Sequence, residues 1–73
     1  MSRAVAIGDE LRLAGYALAG AEVYHALAQA DLEAVWDGLD DAVGLVVLTE
    51  DSYAVLEPRL SERGGLVWAV VPS

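Results

Sequence analysis

AVGLVVL, residues 42–48, is apolar at every position but its glycine, and it carries no charge at all. A strand with one wet face alternates apolar and polar residues, whereas a strand covered on both faces does not. The run therefore predicts a central strand of a parallel sheet. Parallel neighbours cannot be joined by a tight hairpin, so each connection must be long enough to hold a helix.

The sequence on either side supplies those connections. Toward the N-terminus, Ala28, Leu32, Val35, Trp36 and Leu39 recur at helical spacing and predict a helix that Asp40 and Asp41 end. AEVYH at 21–25 and RAVAI at 3–7 are short runs without that spacing and read as strands. Between them Asp9 is placed to cap a helix by accepting a backbone N–H, and Glu10 complements the helix dipole. Leu11, Ala14, Gly15 and Leu18 share one helical face, the side expected to meet the sheet, and Gly20 stops the helix. Toward the C-terminus, TEDSYAVLEPRL at 49–60 opens a third helix with Thr49 or Asp51 as cap and Leu56 and Leu60 inward. Pro58 removes a hydrogen bond there and should kink or split it. Gly64 and Gly65 turn the chain into LVWAVV at 66–71, a fourth strand, which Pro72-Ser73 ends. The pattern is β-α-β-α-β-α-β, an α/β doubly wound parallel sheet in a single domain spanning residues 1–73.

Composition narrows the function. With 73 residues the chain forms one small domain, and 56% hydrophobic residues in punctuated runs argue against disorder. The absence of cysteine removes disulfides and thiolate metal sites, which suits a reducing, cytoplasmic setting. The N-terminus has too few apolar residues before its first acid for a signal peptide, and no run approaches membrane-spanning length. A formal charge of −8, with four arginines and no lysine, offers nucleic acid no basic patch and would repel an anionic bilayer.

Ligands on such sheets bind beyond the carboxyl ends of the strands, which selects Gly8 to Glu10, Tyr24-His25, Thr49 to Asp51 and Pro72-Ser73 for scrutiny. Gly8, Gly15 and Gly20 lack the spacing of a dinucleotide fingerprint, and a phosphate loop lacks its lysine. A phospho-accepting receiver domain would place acids after strands one and three, as Asp9-Glu10 and Asp51 imitate, but Thr49 stands where its acceptor aspartate would be. His25 is the only histidine and cannot build a multi-histidine metal site. Trp36 and Trp68 read as core or interface. No catalytic, cofactor or metal residues are expected.

Several of these segments, in order, resemble the small F subunit of the V-type and A-type rotary ATPases. The residues that carry the likeness are Ile7-Gly8-Asp9, Gly15, Leu18-Ala19-Gly20, Leu48-Thr49-Glu50-Asp51 and Val71-Pro72-Ser73. The resemblance covers essentially the whole chain, as a short form without the C-terminal helical arm that follows strand four in the family. It implies a non-catalytic component of the central stalk that docks on the long coiled-coil D subunit, coupling ATP turnover to proton or sodium transport. The protein would then be cytoplasmic and peripheral to the membrane through the complex. The alternative is a stand-alone signalling or ligand-binding domain of receiver-like topology.

The resemblance also supplies the strand order 2-1-3-4. Right-handed crossovers then place helix one alone on one face and helices two and three on the other. Strands three and four are apolar on both sides, so an exposed apolar patch near them should seek the stalk coiled coil, or a second copy when the protein is alone. The candidate interface residues are Leu45, Val47, Leu66, Trp68 and Val70. Gly15, as an inward residue, should not tolerate leucine.

Overall fold

The structure, a computed structural model, describes residues 3–72, so Ser73 lies outside the described residues. Strands β1 (Arg3–Gly8), β2 (Glu22–His25), β3 (Val43–Thr49) and β4 (Val67–Val71) pair in parallel in the order β2-β1-β3-β4. Helices α1 (Glu10–Leu18), α2 (Gln29–Gly38) and α3 (Glu50–Leu56) form the crossovers. This is the expected α/β architecture.

The register explains how the sheet is covered. Val5, Ala6 and Ile7 of β1 stand beside Val46, Val47 and Leu48 of β3, so Val5, Ile7, Val46 and Leu48 share one face. On that face they meet Leu32 and Trp36 of α2 and Leu56 of α3 in the larger core. The other face carries Ala6 and Val47, and there Leu13 of α1 completes a smaller cluster. Helix one therefore covers one side alone and helices two and three the other.

Local chemistry sets the helix ends. The Asp9 carboxylate accepts from the Leu11 amide at 3.0 Å, and Gly20, at φ +99°, takes the turn after α1. Thr49 is the α3 cap, its hydroxyl accepting from the Ser52 amide. Pro58 splits the third helix as expected: the α-helix stops at Leu56, and Glu57–Glu62 continue as a 3-10 turn that buries Leu60.

One expectation is overturned. Leu11, Ala14, Gly15 and Leu18 do form an apolar stripe, but it faces away from the sheet: Leu11 is 85% and Leu18 92% exposed. Leu13 is the buried residue of the helix. A Cβ on Gly15 would meet nothing within 4 Å, so Gly15 is no packing point and leucine there would not overpack. The physical reason is that α1 is apolar on two sides, and helical spacing alone does not say which one the sheet takes. Leu13, entering the cluster of Ala6 and Val47, decides it; a leucine fully buried contributes about 2–3 kcal/mol.

Candidate functional site

In a sheet of this order the topological switch point lies between β1 and β3, and ligands enter the crevice at the strands' carboxyl ends. Beneath it lies a pair of buried hydroxyls. The Thr49 and Ser52 hydroxyls, both buried, are hydrogen-bonded to each other at 2.9 Å. They press against Gly8, whose φ is +146° and whose missing Cβ would stand 2.7 Å from Thr49 Cγ2 and 3.0 Å from Ser52 Oγ. Gly8 is therefore required twice, by backbone conformation and by close approach.

The other residues at this end are engaged in local hydrogen bonds. Asp9 caps α1, and His25 Nδ1 accepts from the Glu10 amide at 3.2 Å, which places the proton of the neutral ring on Nε2. Gly8, Asp9, Glu10 and His25 thus act together as a strand-to-helix turn. Asp51 is exposed in the first turn of α3. Among the described residues no group of three His, Cys, Asp or Glu could hold a metal ion.

At the amino ends of the strands, acids are tied to arginines. The Arg3 guanidinium hydrogen-bonds Asp40 at 2.7 Å and pairs with Glu22 at 3.0 Å. The Arg3 bond, supported by the Ala42 amide, holds the Asp40 carboxyl below its ordinary range. Tyr24 donates to Glu22 at 2.9 Å, which raises its phenol above the usual value. Arg59 bridges Asp37 and Glu62. That bridge, with a bond from the Trp36 indole, lowers Glu62. Arg63 donates to the carbonyls of Trp36 and Leu39, both at 3.0 Å, with its guanidinium 5.1 Å from the Trp36 ring centre. Trp36 is buried, a core residue as its helical spacing suggested.

Apolar surface is exposed as well, and the five candidate interface residues do not share one face of it. Leu45 and Val47 lie on the α1 side. There a groove of about 440 Å³ runs between Tyr16 of α1 and these two β3 residues. Val47 is buried at the floor, and Leu45 is half-buried. Trp68 and Val70 pair with Val46 and Leu48 on the opposite face, and Leu66 packs against the same core just before β4. Trp68 is 41% exposed, its ring 5.4 Å from that of Tyr53 in α3. Sequence reasoning missed Val67, 64% exposed beside Leu45, and the outward stripe of α1. Both were visible as apolar residues, and only the register assigns them to a side.

Fold and surface together define a small doubly wound α/β domain with exposed apolar patches on both sides of its sheet. No family model matches the chain, and no curated protein matches it. Among the described residues no helix is long and apolar enough to cross a membrane.

Proposed function

We propose that the chain is a non-catalytic central-stalk component of a V-type or A-type rotary ATPase, docking on the coiled coil of the stalk. In that role it would couple ATP turnover to proton or sodium transport from a cytoplasmic position peripheral to the membrane. The observation that carries this reading is the exposed apolar surface around Trp68, which is 41% exposed with its ring 5.4 Å from that of Tyr53. The sequence likeness to the F subunit through Ile7-Gly8-Asp9, Leu18-Ala19-Gly20 and Leu48-Thr49-Glu50-Asp51, set on the strand order 2-1-3-4, supports the specific family.

The docking surface for the coiled coil is the Trp68 side of β4, where an exposed indole stacks on Tyr53 next to Leu66 and Val70. Aromatic anchors of this kind dominate protein interfaces. The test is calorimetric titration of the isolated stalk coiled coil into the purified chain. Binding is expected, weakened at least tenfold by Trp68→Ser in a variant that circular dichroism shows to be folded. Absence of binding overturns the proposal. Incubation with acetyl phosphate and Mg²⁺ covers the receiver-like alternative, which an adduct on an aspartate would establish in its place.

A further inference from the structure

We infer that two copies of this chain join edge to edge through β4, each adding its β4 antiparallel to the other's so that the two sheets run on as one. This goes beyond the stalk reading and uses the strand edge rather than the Trp68 face.

The strand order leaves β2 and β4 as the edges of the sheet. An edge strand turns a row of backbone N–H and C=O groups outward, and the chemical complement of that row is another extended strand. Proteins block such pairing with short edges, charged side chains, bulges or proline. The two edges here differ in that respect. β2 is four residues long and carries Glu22 and His25, with the Glu22 carboxylate held by Arg3 and the Tyr24 hydroxyl. β4 reads VWAVV, without a charge, a glycine or a proline, and keeps an unbroken register beside β3 from Leu45↔Val67 to Thr49↔Val71. Val67, Trp68 and Ala69 are exposed in succession, so the strand is open on both faces at its start.

The residues of β4 also specify which strand fits it. Side chains alternate, so under a two-fold axis normal to the sheet a residue lies opposite its own copy or one an even number of places away. Centring on Ala69 pairs all of Val67–Val71, and any other centre leaves part of the strand unpaired. The smallest side chain of the strand then stands on the axis against itself. Trp68 falls opposite Val70 on either side of it, an aromatic and β-branched pair of the kind that stabilises antiparallel ladders. Gly64-Gly65 before the strand and Pro72 after it, which has no N–H to donate, bound the pairing at both ends.

Charge permits the contact. No acid lies in the strand, so two chains of net charge −8 bring no carboxylate into the ladder. The hollow beside Trp68 is lined by Glu57 and Arg63, one charge of each sign. Glu50 and Asp51 follow Thr49, level with Val71, and the antiparallel pairing sends them and their copies to opposite ends. Val71 and its copy are then about 13 Å apart along the strands, beyond the screening length of about 10 Å in ordinary salt. The joined sheet ends on both sides at β2, the blocked edge, so assembly stops at two copies instead of running into a fibre.

Sedimentation and light scattering from micromolar to millimolar concentration should show wild type passing from monomer to dimer. Ala69 is exposed and opposes its own copy, so Ala69→Lys and Ala69→Glu should each weaken the dimer about tenfold, like charge against like, with an unchanged circular dichroism spectrum. An equimolar mixture of the two should form a mixed dimer at least about threefold tighter than either variant alone, because Lys then faces Glu. Ala69 lies on the face opposite Trp68, so these variants test the edge apart from coiled-coil binding. Hydrogen exchange of the wild type needs no variant to fold. The outward amides of β4, as fast as those of β2 in the dilute monomer, should slow as concentration rises while those of β2 do not. A wild type that stays monomeric throughout, variants that dimerise as it does, a mixture no tighter than its components, or exchange that slows at β2 in place of β4 overturns the inference.

Discussion

Gly8 and Gly15 are seven positions apart and physically opposite. Gly8 holds φ +146° with the Thr49 and Ser52 side chains against its α-carbon, whereas Gly15 sits mid-helix with open space where a side chain would go. Alanine at Gly8 must adopt a strained backbone and displace a buried hydroxyl pair, and should lower stability by at least about 2 kcal/mol, on the order of 10 °C in melting temperature. Alanine at Gly15 removes only the entropic cost of glycine in a helix and should raise stability by up to about 1 kcal/mol. Scanning calorimetry of the two variants checks the pair; a stabilised Gly8→Ala or a destabilised Gly15→Ala refutes the respective argument. The turn at Gly8 and the cap at Asp9 were legible in the sequence because their chemistry is local. The hydroxyl pair against Gly8 was not, since Thr49 reaches Gly8 only through the pairing of β1 with β3.

At the scale of elements, the clearest signals were those with a single physical solution. An uncharged run of apolar residues read correctly as the covered strand β3, and Pro58 as a break between α3 and the 3-10 turn. Helix α1 misled because an apolar stripe can face either way when both sides are apolar. The end of α2 shows a tie that no pattern announces. Arg63, after the 3-10 turn, donates to the carbonyls of Trp36 and Leu39 and lies over the Trp36 ring, closing the C-terminal end of α2. Arg63→Gln removes the charge-assisted bonds and the ring contact, and should lower stability by about 1–2 kcal/mol. Arg63→Lys, which keeps the charge without the planar fork, should fall between. Urea unfolding followed by tryptophan fluorescence measures both, and equal stability of Arg63→Gln and wild type would refute the tie.

For the whole molecule, twelve acids against four arginines make every ion pair a local exception to a repulsive field. Asp40 and Glu62 have folded-state pKa values below their ordinary 3.8 and 4.5, Asp40 through its bond to Arg3 and Glu62 through its bond to Arg59. A depressed carboxyl contributes stability that is present above its unfolded value and lost as pH falls through the folded one. The melting-temperature gap between wild type and Arg59→Gln should therefore be widest near neutrality and close as pH drops below about 4.5; a gap independent of pH would count against these pairs. The strand order and the division of helices between faces were legible once crossover handedness joined the family likeness. Which residues of strands three and four line the open half of the α1 face was not, because apolar residues on both sides of β3 and β4 look alike until their register is known. That order also has a kinetic consequence. Val5 pairs with Glu22 on one flank and with Val46 on the other, so β1 is completed only after β3, about 40 residues later, has been made. Closing that second flank spans a long loop, which slows folding relative to a helical bundle. In the finished protein the same strand has neighbours along both edges. Its amides should be among the last to exchange with deuterium, while those of β2 and β4, each bare along one edge, exchange first.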